Sequence, residues 1–213
     1  MRTAIVAGST GLIGSQLTGL LLEGDDYEKV IVLSRKPIDI KHPKLDNLVV
    51  NFDRLAEYGD ALTGDDIYCC LGTTIKVAGS KEVFYKVDHD YPVALATVTK
   101  SFGAKQYLIV TALGSDKNSS IFYNRVKGEV EEDLKKVGFE SLHILQPSML
   151  MGPRKEKRQG EEIGQSVMQV LGFLIPKKYK AIESLKVARA MLALARLKKQ
   201  GIHTHHSADL QNY

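Results

Sequence analysis

In the stretch FYNRVKGE, Tyr123 and Lys127 stand four residues apart, so on a helix the phenol and the ammonium share one face. A phenol can pass a proton, yet with a pKa near 10 it does so poorly at neutral pH, and a neighbouring ammonium favours its phenolate form. The same spacing also occurs in ordinary surface pairs. The surrounding elements decide between the two readings.

The stretch AIVAGSTGLIGSQL bears on that choice. Gly8, Gly11 and Gly14 are spaced GxxGxxG directly after an apolar β-type run and open an amphipathic one. In that setting Gly8 permits a tight turn, Gly11 lets backbone approach a pyrophosphate, and Gly14 allows close helix–strand packing. Ser9, Thr10, Leu12 and Ile13 complete the turn, whose helix amides and dipole favour negative charge. The alternatives are a turn that only packs tightly, or S-adenosylmethionine binding, which has no pyrophosphate to offer.

The second β-type run ends VIVLSRKP. A dinucleotide fold that takes NAD usually places a carboxylate there for the ribose 2′-hydroxyl. Here Arg35 and Lys36 supply two cations and no carboxylate, which predicts NADP(H) over NAD(H). The competing reading is a pair of solvated loop charges.

Strands are expected at Thr3–Ala7, Val30–Ser34, Leu48–Asn51, Ile67–Leu71, Gln106–Thr111 and Ser141–Leu145, most of them near-continuous apolar runs. Helical patterns lie between them at Leu12–Leu22, Lys81–Phe102 and Ser120–Val137, with a weaker one at Asp53–Tyr58. This alternation predicts an α/β fold, a doubly wound parallel sheet of Rossmann type in a single domain over 1–213. After Leu145 the chain turns rich in Gly, Pro and charge, with helices expected around Glu162–Leu174 and Ser184–Lys199. Residues 147–213 are therefore expected to form a small helical extension, a lid on the substrate side over the C-terminal edge of the sheet.

At 213 residues with 44% hydrophobic and 25% charged content, the composition is that of an ordinary globular protein. A net charge of +4 without an arginine-rich arm argues against nucleic acid. No apolar run reaches the roughly 18–20 residues that span a bilayer, and TAIVAG reads as a strand rather than a signal peptide. Cys69 and Cys70 are adjacent, so on a strand they face opposite sides; they suit neither a disulfide nor a redox turn and fit a reducing cytoplasm. His203, His205 and His206 lack a Cys, Asp or Glu at ligand spacing, so no metal site is expected. The helices Lys81–Phe102 and Ser120–Val137 fit a monomer or a homodimer equally.

Taken together, GSTGLIG, CCLGTTIKVAGSKEVFYKVDHDYP, VTALGSDKNSSIFYNRVKGEVE and LQPSMLMGPR resemble the short-chain dehydrogenase/reductase superfamily, most closely its atypical HTATIP2-like (TIP30-like) branch. The resemblance implies an NADP(H)-binding Rossmann fold acting on a small carbonyl or alcohol, with Tyr123 as general acid/base and Lys127 beside it. Thr111 stands where the superfamily carries Ser, and it would either bond a substrate oxygen or cap its own strand end; Ser115 is the fallback. The resemblance also places Cys70, Leu71, Gly72 and Thr73 on the adenosine and ribose side, and Pro147, Ser148 and Met149 by the nicotinamide. Asp53 would serve the adenine amine or cap a helix, and Val87 and Asp88 belong to the helix beneath the cofactor. The atypical branch also includes proteins that bind the cofactor and turn nothing over, so a sensor is the second reading.

Overall fold

The computed structural model describes residues 2–152 and 179–213. Its strands are β1 (Thr3–Ala7), β2 (Lys29–Ser34), β3 (Leu45–Val49), β4 (Asp66–Cys69), β5 (Gln106–Val110), β6 (Ser141–Gln146), β7 (Leu150–Met151), β8 (Ile182–Glu183) and β9 (Gly201–His206). Its helices are α1 (Leu12–Glu23), α2 (Ile75–Ala78), α3 (Lys81–Tyr85), α4 (Tyr91–Ser101), α5 (Phe122–Val137), α6 (Ser184–Leu197) and α7 (Ser207–Leu210). Seven parallel strands run in the order β3-β2-β1-β4-β5-β6-β9, and β7 pairs separately with β8.

The central strands are buried on both faces, as their unbroken apolar sequence requires. Ala4, Val6, Val32, Tyr68, Leu108 and Leu145 face α1 and α6. Ile5, Ile31, Ile67, Cys69, Ile109 and Ile144 face the opposite layer, where α4, α5 and the irregular turns of Phe52–Leu62 supply Leu95, Val130 and Leu55. Neighbouring residues thus serve different cores. That is why Cys69 lies in one core and Cys70 packs against the other, both as free thiols.

The order reverses at β1, whose neighbours are β2 and β4. Open α/β sheets bind ligands in the crevice beyond the strand C-termini at such a point. Gly8, Cys70, Thr111 and Pro147, which follow β1, β4, β5 and β6, line up along that edge.

The C-terminal region departs from expectation. Ser184–Leu197 is helical, but it lies beside α1 in the main helical layer instead of forming a separate extension. The seventh strand, β9, was not foreseen: its edge position leaves it half polar, without the apolar run that marks the inner strands. The expected helix at 162–174 lies outside the described residues.

On β6 and β9, His143 is fully buried and its Nδ1 lies 2.9 Å from His205 Nε2, with both rings stacked and His203 alongside. His143 Nε2 is buried without a hydrogen-bond partner. Burial, followed by His205, His203 and Lys199, pushes His143 down to about 4. Burial and His203 lower His205 too, against the opposing pull of Asp209. Folded values below the unfolded value of about 6.5 mean that the unfolded chain takes up protons first. Stability should hold at pH 7 and decline between about pH 6.5 and 4, by on the order of 2 kcal/mol. Urea denaturation at pH 7.5 and pH 5 checks this, and His143→Leu should flatten the difference.

Candidate active site

The glycine turn begins where β1 ends. Gly8 has φ +87°, and a Cβ there would lie 2.4 Å from the Cys70 carbonyl oxygen, so the turn and the strand β4 exit touch backbone to backbone. A Cβ on Gly14 would lie 2.2 Å from the Gly8 carbonyl oxygen, which seats α1 directly on the turn. The Gly11 amide donates to Gly8 O at 3.0 Å, and a Cβ on Gly11 would meet only that oxygen, leaving its outer side clear. Helix α1 has no side-chain cap and no acidic residue in its first turn. The Ser9 hydroxyl is buried without a partner. Uncapped amides, an orphaned hydroxyl and open backbone fit a dinucleotide pyrophosphate.

Tyr123 and Lys127 both lie on α5, with Tyr123 half-buried and Lys127 only 4% exposed. The Lys127 ammonium sits 2.8 Å from Asp88 Oδ1, and Asp88 is 1% exposed. Burial pulls the Lys127 ammonium down, but the Asp88 carboxylate and the Tyr123 phenol outweigh it and hold the group above its ordinary value. The other Asp88 oxygen accepts the Thr73 amide at 2.9 Å, which ties the β4 exit loop to the same carboxylate. Gly72 lies over the pair, where an added Cβ would come 3.4 Å from Asp88 Oδ1 and 3.7 Å from Lys127 Nζ.

A wide π-type turn at Lys86–Asp90 joins α3 to α4 and directs the consecutive residues Asp88 and His89 inward. Asp88 is 1% and His89 8% exposed, so the turn presents two neighbouring polar side chains to the interior. His89 bonds Asp90 at 2.9 Å and Asp133 of α5 at 3.0 Å, fastening the turn to the helix that carries Lys127. Phe84 packs at a tilt against Phe122 and Tyr123, with centroid distances of 5.8 and 5.6 Å.

The Thr111 hydroxyl donates to Glu131 Oε1 at 2.5 Å, with a second contact of 3.4 Å to Leu145 O. Gln146 Nε2 donates to both Glu131 oxygens at 3.0 Å. Tyr123, Lys127 and Glu131 recur at four-residue intervals, so one face of α5 carries all three. Glu131 thereby clamps the ends of β5 and β6 to α5, and the Thr111 proton is committed to that clamp. Ser115, the fallback, donates to Ala112 O at 2.7 Å.

The remaining site residues fall around this centre. Asp53 is exposed at the start of the Phe52–Leu62 turns, where it meets Lys86 at 2.6 Å and the Tyr91 hydroxyl at 3.2 Å. The amide capped there is its own, which donates to the Asn51 side chain. Arg35 and Lys36 are exposed in a loop shaped by Asn47, which donates to Val32 O and Ser34 Oγ and accepts the Ile38 amide. Leu71 packs against the α4–α5 side of the sheet. Pro147 O accepts the Leu113 amide and Met149 O accepts the Ile182 amide, both at 2.9 Å. Ser148 donates to Lys180 O and accepts from Ser207 at 2.9 Å, tying the strand β6 exit to α7.

HTATIP2 of Rattus norvegicus is 33% identical over 195 residues, covering 90% of this chain and 80% of that protein. The chain belongs to the HTATIP2-like family of atypical short-chain dehydrogenases/reductases. A second relative, the protein FMP52, mitochondrial, of Eremothecium gossypii, is 35% identical over 173 residues, covering 81% of this chain and 76% of that one. No protein-family model matches the chain. Among solved structures, UDP-glucose 4-epimerase of Thermotoga maritima with UDP-glucose superposes with a TM-score of 0.73 at 16% identity, covering 97% of this chain and 77% of that one. MoeE5 in complex with UDP-glucose and NAD gives 0.72 at 15% identity, covering 95% and 74%. At that identity the likeness is one of fold.

Within this HTATIP2-like frame the sequence reading missed Glu131, Gln146 and Gly128. A Cβ on Gly128 would lie 2.1 Å from the Lys117 amide nitrogen, so this glycine lets the 115–119 loop lie flat on α5. A glycine inside a helical pattern is a legible signal of close backbone approach. Glu131 gave none, since a carboxylate four residues beyond a lysine ordinarily reads as a solvated helix face. Among the described residues, no group of three or more His, Cys, Asp or Glu side chains is arranged to hold a metal ion, and no helix is long and apolar enough to cross a membrane.

Proposed function

We propose that this HTATIP2-like protein is an NADP(H)-dependent oxidoreductase of the carbonyl-reductase type, acting on a small carbonyl or alcohol. The observation that carries the reading is the buried Lys127–Asp88 pair one helical turn from Tyr123, at the sheet edge that also holds the glycine turn. The turn Gly8–Gly14 would hold the pyrophosphate, and Arg35 and Lys36 a 2′-phosphate. The NAD bound in MoeE5, which shares this fold, supports a nicotinamide dinucleotide. When bound beside Tyr123, NADPH would supply the hydride. Tyr123 gives its hydroxyl proton to the substrate oxygen, and Lys127, kept charged by Asp88, stabilises the phenolate that remains.

The engagement of Thr111 by Glu131 favours one second reading, a protein that senses NADP(H) without turnover, because the proton the superfamily offers from this strand end is committed elsewhere.

Titration of NADPH and NADH into the ligand-free protein tests the cofactor assignment. Arg35 and Lys36 are exposed, so each contact to a 2′-phosphate should contribute near the low end for charged hydrogen bonds, about 1.5 kcal/mol. Arg35→Ala should raise the NADPH Kd about tenfold and leave NADH unchanged. Tighter binding of NADH than of NADPH by the unaltered protein refutes the assignment.

A further inference from the structure

Lys127 and Asp88 are sealed together. Their charged groups lie 2.8 Å apart, the residues are 4% and 1% exposed, and the Gly72 backbone lies over both. Asp88 is tethered as well, since its second oxygen accepts the Thr73 amide at 2.9 Å. Tyr123 stands one turn away on α5 and, after Asp88, is the strongest charge partner of the ammonium. The phenol, the ammonium and the carboxylate therefore share one poorly solvated place, and their protons are coupled.

Net charge decides how many protons such a place keeps. Burial disfavours a net charge, because little water is present to screen it. With the phenol and the ammonium protonated and Asp88 ionised, the three groups are neutral together. Without the carboxylate the same protons leave a net positive charge, and loss of one of them, from the phenol or from the ammonium, removes it. Carbonyl reduction needs both at once: the phenol proton goes to the substrate oxygen, and the ammonium supports the phenolate left behind. Asp88 thus makes the working form the neutral one.

The other titratable groups around this centre are engaged elsewhere. On α5, Glu131 holds Thr111 and Gln146, and Glu129 lies 4.0 Å from Arg125 and beside the Tyr85 hydroxyl. From α3, Lys81 rests over the Phe122 ring, and from the wide turn His89 meets Asp90 and Asp133. From β4, the Cys69 thiol acts on the ammonium, but burial raises it and it stays neutral near pH 7. Burial raises the Tyr107 hydroxyl beside it too.

We propose that Asp88 is a positioning residue that sets the upper pH limit of the reaction: its carboxylate balances Lys127, so that Tyr123 and Lys127 hold their protons together into the mildly alkaline range. The proposal rests on the oxidoreductase reading above for its reaction, whereas the proton count is measurable without turnover.

That count is read from the carbon-13 resonances of Tyr123 Cζ and Lys127 Cε in the ligand-free protein between pH 6.5 and pH 10. In Asp88→Asn, which keeps an acceptor for Thr73, one of the two groups should titrate about one pH unit or more below the first loss in the unaltered protein. Asp88→Asn combined with Lys127→Met leaves neither charge buried alone, so it tests the proposal even where the single variant does not fold. There Tyr123 should keep its proton to within about one unit of the unaltered protein. The second measurement is the alkaline limb of kcat/KM for NADPH oxidation with a reactive aldehyde, which should move down in Asp88→Asn by about one unit or more.

A first proton loss that Asp88→Asn leaves in place or delays overturns the proposal, as does a double variant whose Tyr123 titrates more than about one unit away. A rate lowered equally at every pH, with the limb in place, is what a merely structural part would give, and it overturns the proposal too. If the resonances shift as stated but no aldehyde is turned over, the charge balance stands and the oxidoreductase reading fails.

Discussion

Asp88→Ala should destabilise the fold by about 3–5 kcal/mol at pH 7, because it strips a buried ammonium of the carboxylate paired with it. The Thr73 amide loses its acceptor in the same change. With Asp88 present, its charge and the Tyr123 phenol outweigh the burial of Lys127. Without it, burial, already the largest single influence, has less to oppose it, and the ammonium falls below its unfolded value of about 10.4. The sign of the pH dependence follows. In the unaltered protein the raised folded value gives stability that is present below about pH 10 and lost as pH climbs through it. In Asp88→Ala the folded chain binds fewer protons than the unfolded chain, so its stability should rise from pH 7 to pH 9.5. Denaturation midpoints at those two values measure both effects. Asp88→Asn, which keeps an acceptor for Thr73, should fall between the two proteins at pH 7. Equal midpoints for Asp88→Ala and the unaltered protein would mean that the pair stabilises nothing.

The sheet was legible because its inner strands need apolar side chains on both faces, and such runs are visible from β1 to β6. The edges were harder. Strand β3 was expected at Leu48–Asn51 and occurs at Leu45–Val49, where an edge position admits Asp46 and Asn47. Strand β9 alternates His203 and His205 with exposed Thr204 and His206, and its inward side is made of imidazoles rather than aliphatics. Hydrophobic periodicity has no purchase on such a strand.

The candidate site divides in the same way. Glycines at Gly8, Gly11 and Gly14 announce a backbone requirement that no other residue meets, and the structure returns close contacts at Gly8 and Gly14. Tyr123 and Lys127 stand on α5 at the spacing that raised the question, but the partner of Lys127 is set by tertiary structure. Asp88 reaches it from the widened turn between α3 and α4, and nothing in YKVDHDYP marks that turn. Thr111 shows the opposite limit. Its place at the end of β5 was readable, whereas its bond to Glu131, twenty residues away on α5, depended on how the helix settles over the strand ends.

The most direct test of the account is Tyr123→Phe, which removes the proton and keeps the ring that packs on Phe84. NADPH affinity and the denaturation midpoint should stay close to those of the unaltered protein, while NADPH oxidation across an aldehyde and ketone panel should drop about 10²–10⁴-fold. Oxidation at an undiminished rate in Tyr123→Phe would contradict the assignment of proton transfer to this tyrosine, and tight NADPH binding with no turnover by either protein would replace the reductase with a sensor.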